Sequence, residues 1–302
     1  MKNLIVGYGV QGKKRAKLFK KDSFNVFDPF SKFSDFSSID EIPFKNFSKV
    51  YLCVPDKIKI DLISFFLKKK LDVMVEKPLH CNNIKKIKKV LKLAKDSENI
   101  LYTAYNHRFE PNLIKLKKIL LKKEIGKIYY CKIFYGNGTA KLVKKSNWKD
   151  GHEGVLFDLG SHLIDMCLFL FDDYSAKFKI VKKNKFENNS SDHAIIHSDN
   201  TGVYYNLEMT SCSWKNSFNL DMLGSKGSLH VENLCKWGDS KLTIRRRKYP
   251  AGTPKEKILI KKKGDPTWKD ENSFFNNLNS KTKNLSFKKD LYISRQLSLL
   301  KK

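Results

Sequence analysis

The triplet Glu76-Lys77-Pro78 follows the apolar run 71–75, which predicts a buried strand. A lysine at the end of a strand can donate a proton, or its cation can stabilise an alkoxide that develops during reaction. The proline restricts the backbone of the loop that carries this lysine. A charged pair that opens a loop is more often a solvated surface feature. The triplet therefore supports a catalytic role only if other motifs of an active site are present in the same chain.

A second set of chemistry-bearing residues lies in the segment 158–165, which contains Asp158, His162 and Asp165. Residues four and seven positions apart share one face of a helix. A helix here would therefore place the three side chains on one side. A histidine beside a carboxylate can act as a general base near neutral pH. On these residues alone, a capped helix with a satisfied core histidine remains an equal alternative.

The N-terminal segment 7–12 reads G-Y-G-V-Q-G between a predicted strand and a predicted helix. In this context the first glycine permits a tight turn, the second lets the backbone approach a pyrophosphate, and the third allows close packing. Asp28 ends the next strand, where a carboxylate binds the adenosine ribose and repels a 2′-phosphate. NAD is therefore favoured over NADP. The predicted cofactor contacts of this region are Gly7, Gly9, Val10, Gln11, Gly12 and Asp28.

The segment 106–111, N-H-R-F-E-P, follows the last strand of the predicted parallel sheet. Ligands of open α/β sheets bind at the carboxyl ends of the strands. Asn106 and Arg108 are therefore predicted to contact the nicotinamide or the substrate. Pro111 is equally well explained as the first-turn proline of a helix at 111–122.

The first hundred residues alternate strands and helices, which is typical of βαβ units and a parallel sheet. Strands are predicted at 3–6, 24–27, 50–54, 71–75 and 100–104, and helices at 10–21, 57–69 and 84–95. Residues 30–48 show little pattern, so the third strand of the nucleotide fold is expected to be reduced.

The pattern changes after about residue 125, where strands follow one another without intervening helices. One strong apolar helix is predicted at 155–171, and the chain from 268 is predicted to be helical. The strands predicted for a mostly antiparallel sheet are 128–134, 178–183, 193–198, 203–210, 217–223, 228–232, 241–247 and 256–262. We expect two domains, an NAD-binding domain over 1–108 and a substrate and oligomerisation domain over 109–302.

The chain carries a formal net charge of +29, from 60 Lys and Arg residues against 31 Asp and Glu. Only six of the basic residues are arginine, whose bidentate fork is the usual tool for specific contacts with phosphates and bases. The lysines are spread along the chain, as on the helix predicted at 84–95. Compositional bias explains this charge, and no specific nucleic-acid partner is predicted. A weak, salt-sensitive attraction to polyanions is compatible with it.

The six cysteines are scattered, and no two of them form a Cys-x-x-Cys pair. This spacing predicts neither a structural zinc site nor a redox dithiol, and it favours reduced thiols in a cytoplasmic protein. The apolar runs 4–6 and 166–171 are much shorter than the about 20 residues that cross a bilayer. We therefore predict no metal and no membrane association.

Taken in order, these motifs resemble the glucose–fructose oxidoreductase, inositol dehydrogenase and rhizopine-catabolism family, Gfo/Idh/MocA. The resemblance covers essentially the whole chain, and the ordered set is far more specific than any single motif. It implies an N-terminal Rossmann domain and a C-terminal α/β domain with an open, mostly antiparallel sheet, which in relatives often packs against another subunit. A homo-oligomer, dimer or tetramer, is therefore expected. The matching landmarks are segment 7–12, Val54-Pro55, segments 76–78, 106–111 and 158–165, and the glycine turn 224–228.

The resemblance also implies roles for individual residues. Lys77 corresponds to the family's catalytic lysine. Asp158 and His162 match positions that complete the site in several members, where His162 would take the hydroxyl proton. Glu76 and Asn106 match residues that hold the nicotinamide ribose and ring. The further site residues expected are Val54, Pro55 and Lys77 for the cofactor, and Arg108, Lys77, Asp158 and His162 for the substrate. Trp148 lies in a stretch that departs from the family pattern, and it is expected either to shape the substrate pocket or simply to pack.

The leading hypothesis is an NAD-dependent oxidoreductase that moves hydride between the nicotinamide and a hydroxyl or ketone of a sugar or nucleotide sugar. Sugar-derivative or surface-glycan metabolism would be its setting. One alternative is an enzyme that keeps its NAD in a redox-neutral cycle, such as glycoside cleavage or epimerisation. The other is a non-enzymatic NAD(H) sensor or a polyanion-binding protein. The presence of both Lys77 and His162 argues against an inactive sensor.

Overall fold

The computed structural model describes residues 1–146, 150–151, 154–279 and 287–301. The chain divides into two compact units. The first comprises Met1–Tyr105 and Trp268–Arg295, and the second comprises Asn106–Thr267 and Gln296–Lys302. In the described part of the chain, no helix combines the length and the apolar character that crossing a membrane requires.

Apart from the short helix Ala140–Lys144, which the sequence did not predict, the α-helices of the described residues lie close to the predicted positions, with some different ends. They are α1 (Val10–Ala16), α2 (Asp56–Lys68), α3 (Ile84–Asp96), α4 (Pro111–Leu121), α5 (Ala140–Lys144), α6 (Ser161–Phe171), α7 (Thr267–Asn277) and α8 (Phe287–Leu300). The helix predicted at 10–21 was too long, because the amide N–H groups of Leu18 and Phe19 bond three residues back and tighten the last turn. Phe19 then packs its ring on Phe24 and Tyr51.

The first unit contains a five-stranded sheet in which every neighbouring pair is parallel. The strands are β1 (Lys2–Val6), β2 (Phe24–Phe27), β3 (Phe47–Leu52), β4 (Asp72–Glu76) and β5 (Leu101–Ala104). Their order is β2-β1-β3-β4-β5. The reduced unit expected at 30–48 contains two 3₁₀ turns, Ile39–Glu41 and Phe44–Asn46, before β3 begins at Phe47, and β2 lies at the edge of the sheet.

Alternate residues of these strands enter two hydrophobic clusters, because successive side chains point to opposite faces of a sheet. Leu4 and Val6 belong to one cluster, whereas Ile5 belongs to the other. Phe275 of α7 is fully buried in the cluster that contains Ile5. This burial groups residues 268–295 with the first unit. The division therefore differs from the single break at 108 that the sequence predicted.

The second unit contains an eight-stranded sheet in the order β13-β12-β11-β10-β6-β9-β8-β7. Its neighbouring pairs are antiparallel except for β6 and β9, which are parallel. The strands are β6 (Ile128–Gly136), β7 (Lys179–Asn184), β8 (His193–Ser198), β9 (Tyr204–Thr210), β10 (Ser217–Gly224), β11 (Gly227–Glu232), β12 (Ser240–Arg246) and β13 (Lys255–Lys261). The predicted fold class is confirmed by the two sheets.

The apolar segment 155–171 is not one uniform α-helix, as the sequence predicted. Residues Leu156–Gly160 form a π-helical turn, and α6 continues from Ser161. A π turn adds a residue to the helical repeat and often occurs at functional sites. It therefore changes the direction of Asp158 relative to the residues of α6.

Candidate functional site

The glycine loop that follows β1 has the geometry of a nucleotide cradle. Gly7 adopts φ +86°, and a Cβ there would lie 2.5 Å from the carbonyl oxygen of Cys53. A Cβ on Gly12 would lie 2.0 Å from the carbonyl oxygen of Gly7. Gly9 differs from both, because nothing lies within 4 Å of the Cβ position. The first and third glycines thus serve packing, and the second leaves open space where a pyrophosphate can approach the backbone.

Asp28 is held in place by the loops around it. Its Oδ2 accepts a hydrogen bond of 2.7 Å from the Tyr8 N–H, and its Oδ1 accepts one of 2.9 Å from the Phe30 N–H. Each carboxylate oxygen can accept a further bond, so the group can still bind two ribose hydroxyls. The residues fit an NAD molecule with its adenosine ribose on Asp28.

The other predicted cofactor residues lie at the same edge of the sheet as Asp28. Val10 and Gln11 are exposed at the start of α1, and Val54 and Pro55 follow the end of β3. The carboxyl ends of β1, β2 and β3 meet here because the three strands are parallel.

Gly9→Ala provides a direct test of the cradle. Alanine is compatible with the φ of −72° at this position, and the open space avoids a clash, so the fold should persist. The added methyl group would occupy the space in which the pyrophosphate approaches the backbone. We expect the Kd for NADH, measured by fluorescence titration, to rise at least about tenfold, which corresponds to about 1.4 kcal/mol. Gly264→Ala, at another open position, is the matched control. Unchanged NADH affinity in Gly9→Ala would contradict the cradle.

Glu76 forms part of a buried ionic network that the sequence analysis missed. The Nε of Arg15 donates to Glu76 Oε1 over 2.8 Å, and its Nη2 donates to Glu271 Oε2 over 2.8 Å. Arg15 is 1% exposed, and its guanidinium lies 4.2 Å from the ring centroid of Trp268. Helix α1 is thus joined to the end of β4 and to α7. The contact with the nicotinamide ribose predicted for Glu76 would have to coexist with its bond to Arg15.

Burial shapes the protonation of this network. It raises the pKa of the Glu271 carboxyl, and the cation of Arg15 opposes the rise. Burial also lowers the pKa of Arg15, but the charges of Glu76 and Glu271 outweigh this effect and the net direction is upward. Arg15 therefore stays charged, and its loss would leave two carboxylates in the core.

Lys77 is the first residue after β4, and it is partly buried. The peptide bond between Lys77 and Pro78 is cis. The strand end, rather than a helix or a long loop, determines where this lysine lies. Its predicted catalytic role remains a prediction at this point.

His162 lies on α6 and is 8% exposed. Its ring stacks on the ring of His107, with the centroids 4.1 Å apart and the planes at 28°. The ring of Tyr135 on β6 lies 6.2 Å away. Burial raises the pKa of Tyr135, and the nearby charges of Asp158 and Glu110 raise it further, so this hydroxyl keeps its proton.

Lys236 completes the group around the two histidines. Its Nζ lies 2.6 Å from His107 Nε2 and 4.5 Å from the ring centroid of Trp237. An ammonium group only donates, so a charged Lys236 makes His107 Nε2 the acceptor of this bond. The structure therefore gathers two imidazoles, a phenol and an ammonium in the second unit. The sequence contained no signal for Lys236 and Trp237, which lie in a loop more than 120 residues from His107.

The carboxylates of segment 158–165 have different environments. Asp165 is 2% exposed and accepts three hydrogen bonds of 2.8–3.1 Å from the Nε and Nη2 of Arg108. Asp158 lies on the π turn and is exposed. Asp165 is therefore bound by Arg108 in the folded protein, whereas Asp158 lies at an exposed position.

The other predicted residues have these positions. The Nδ2 of Asn106 donates over 3.0 Å to the Oγ1 of Thr267, and Asn106 is buried. Arg108 is partly exposed beyond its bonds with Asp165. Their contacts with a ligand remain predictions. Trp148 lies outside the described residues. Among the described residues, no group of three His, Cys, Asp or Glu side chains is placed to hold a metal.

Two family models match the chain. The model described as an oxidoreductase family with an NAD-binding Rossmann fold matches residues 2–105. The model described as the GFO/IDH/MocA C-terminal domain matches residues 113–230. Between them they include every predicted site residue except Asn106 and Arg108, which lie in the short interval between the two matches.

Relatives of known activity and solved structures resemble the chain to different extents. Glucose-6-phosphate 3-dehydrogenase of Bacillus subtilis is 27% identical over 153 residues, which are 43% of this chain and 44% of that enzyme. The curated relatives are matched over only 28–44% of their own lengths. The structure of a UDP-N-acetylglucosamine 3-dehydrogenase from Acidithiobacillus ferrooxidans superposes with a TM-score of 0.76 at 15% identity, covering 99% of this chain and 97% of that one.

A 3-ketoreductase from Actinomadura kijaniata, solved as a variant with TDP-benzene and NADP, superposes with a TM-score of 0.76 at 14% identity. The superposition covers 100% of this chain and 96% of that chain. At these identities the structural likeness establishes the fold alone. The matched family models, together with the nucleotide cradle, show that the chain belongs to the GFO/IDH/MocA family of oxidoreductases and carries its NAD-binding Rossmann domain.

Proposed function

We propose that this protein is an NAD-dependent oxidoreductase that interconverts a secondary hydroxyl and a ketone on a sugar or nucleotide sugar. The observation that carries the proposal is the environment of His162. This imidazole is nearly buried, is stacked on His107, and lies close to the phenol of Tyr135. Such a group, supported on one side and surrounded by polar side chains, suits the transfer of a substrate proton.

The roles of the chain's residues follow from the chemistry of a carbinol. Bound NAD supplies the hydride acceptor or donor. As the carbinol is oxidised, its hydroxyl proton must leave, and a neutral His162 accepts it. Protonated Lys77 stabilises the negative charge that develops on the oxygen. Asp158, the exposed carboxylate of the π turn, binds a substrate hydroxyl.

The ring carbon proposed for the reaction comes from the relatives. Two relatives that act on inositols are named for position 2. A glucose-6-phosphate dehydrogenase, a UDP-N-acetylglucosamine dehydrogenase and a ketoreductase that resemble this chain are named for position 3. We therefore place hexopyranosides that carry a free 3-hydroxyl first among the substrates, either phosphorylated or linked to a nucleoside diphosphate.

A screen at 340 nm of free sugars, sugar phosphates, sugar acids and nucleotide sugars tests the proposal. Each compound is offered with NAD and, separately, with NADP. We expect reduction of NAD with at least one hexose derivative, and a 3-keto product by mass spectrometry and NMR. Absence of turnover with every sugar would contradict the dehydrogenase, and tightly held NAD that does not exchange would favour a redox-neutral cycle instead.

Asp28→Ser should change the cofactor preference. A carboxylate and a 2′-phosphate about 4 Å apart repel each other by about 1 kcal/mol in water and by more near a protein surface. We therefore expect the ratio of Kd for NADPH to Kd for NADH to fall at least about fivefold in the variant, in a fluorescence titration. Asp22→Asn, an exposed carboxylate that precedes β2, is the control. A wild-type protein that prefers NADPH would contradict the role given to Asp28.

A further inference from the structure

Lys59 is a buried lysine that none of the preceding motifs includes. It lies on the first turn of α2 and is 1% exposed. Lysine is almost never fully buried unless its charge is paired, because removing an ammonium from water is costly. The contacts of the Lys59 ammonium therefore show what this buried charge does.

The Lys59 ammonium uses all three of its donors. Nζ donates to the carbonyl oxygen of Glu76 over 2.9 Å and to the carbonyl oxygen of Pro78 over 2.9 Å. The third bond, of 2.5 Å, goes to Asp56 Oδ1 on the same helix. An ammonium has three N–H groups, and each of them has an acceptor here. Asp56 also balances the charge, and its side chain is 21% exposed.

The two carbonyl groups lie on either side of Lys77 in the chain. Glu76 ends β4, and Pro78 follows the residue proposed as the cation of the reaction. The ammonium of Lys59, on α2, therefore binds the backbone both before and after Lys77.

We propose that Lys59 is a positioning residue, which holds the backbone of Lys77 so that its ammonium reaches the substrate oxygen. The inference rests on the proposed function, because Lys77 has a reacting partner only there. Loss of the Lys59 bonds would leave Glu76 held by Arg15 and by its pairing with β5, but it would remove the two bonds that hold the backbone on either side of Lys77. A displacement of about 1 Å in a catalytic group can lower the rate by about 10²-fold.

Two substitutions at Lys59 separate positioning from a role in stability alone. Lys59→Met removes the ammonium and keeps an unbranched side chain. Lys59→Arg keeps the charge, but a planar guanidinium cannot direct donors to the same three acceptors. Lys57→Met, at an exposed position on the same turn of α2, is the matched control. Each protein is measured for kcat and KM with the best substrate of the 340 nm screen, for Kd of NADH, and for amide hydrogen exchange of the peptide 73–79.

We expect kcat to fall about 10- to 100-fold in Lys59→Met and less in Lys59→Arg, with Kd for NADH changed less than about threefold. Exchange in the peptide 73–79 should become faster in both variants, while exchange in the α3 peptide 84–96 stays as in the wild type. Wild-type kcat and wild-type exchange of 73–79 in Lys59→Met would overturn the proposal. If Lys59→Met does not fold, wild-type kcat and wild-type exchange of 73–79 in Lys59→Arg would overturn the proposal instead.

The exchange measurement also keeps this inference apart from the proposed function. If no sugar is turned over by the wild type, the dehydrogenase proposal fails. Faster exchange of 73–79 in the variants would still show that Lys59 holds the loop. If the wild type is active and the exchange of 73–79 does not respond to either substitution, the positioning role alone is wrong.

Discussion

Replacement of Lys77 or His162 by alanine should lower turnover about 10²- to 10⁴-fold while NADH still binds, because a positioned acid or base contributes a factor of this size. Lys77 follows β4 and His162 lies on α6, outside the glycine loop and Asp28 to which we assign the adenosine half of the cofactor. The substitutions should therefore lower kcat, and Kd for NADH should change less than about threefold.

The controls for this experiment come from the same two units. Lys85→Ala removes an exposed lysine at the start of α3, and His197→Ala removes a histidine of β8. Both should retain wild-type turnover. Stopped-flow or steady-state assays at 340 nm supply kcat, and fluorescence titration supplies the NADH affinity. If Lys77→Ala and His162→Ala both keep wild-type turnover with the substrate found in the screen, the assignment of the two residues is wrong.

Replacement of Arg15 by methionine should lower the free energy of unfolding by about 3–5 kcal/mol, which is the usual effect of removing one partner of a buried ion pair. Arg15 bonds two carboxylates, Glu76 and Glu271, and Glu271 has no exposed surface. Methionine fills much of the volume but leaves both carboxylates without their cation. Urea unfolding followed by circular dichroism measures the change, with Lys17→Met at the exposed end of α1 as the control.

The effect of Arg15→Met should also depend on pH. Burial raises the pKa of Glu271 in the folded protein above its unfolded value. Such a carboxyl binds its proton more tightly when folded, so its contribution favours folding below the unfolded pKa and is lost as the pH rises through the folded pKa. Without Arg15 the pKa should rise further. The deficit of the variant should therefore be smaller at about pH 5 than at about pH 8.

A deficit below about 1 kcal/mol at neutral pH, equal to that of Lys17→Met, would show that the network contributes little to stability. An equal deficit at both pH values would show that Glu271 does not take up a proton when its cation is lost. Either result would contradict the roles assigned to Arg15 and Glu271 in the buried ionic network.

Much of the architecture could be predicted because it depends on local pattern. Parallel strands buried on both faces are near-continuous apolar runs, and β1, β3 and β4 were found from such runs. Most strands of the second sheet alternate buried and more exposed residues, although the edge strands β7 and β13 do not. Each strand of this sheet was located to within two residues at either end. The π turn at Leu156–Gly160 was not predicted, because a π turn within an apolar helix does not change the amino-acid composition of the segment.

The candidate site was predictable only in part, for a related reason. Gly7, Gly9 and Asp28 follow a spacing that a single βαβ unit imposes, so the cradle could be inferred along the chain. Lys236 meets His107 over a separation of 129 residues, and Arg15 meets Glu271 over 256. Contacts between such distant segments depend on how sheets and helices pack. The spacing of apolar residues along the sequence does not predict them.

The order of its motifs determined, from the sequence alone, that this chain has a nucleotide-binding domain, a second mostly antiparallel sheet, and candidate acid–base residues at Lys77 and His162. Local geometry suffices for these features, because turns, strand periods and glycine positions are encoded over a few residues. Tertiary structure alone decided that residues 268–295 complete the first unit, that Asp165 is bound by Arg108, and that Lys59 holds both sides of Lys77. These depend on the burial of charges, which acquire their partners only when distant segments pack together.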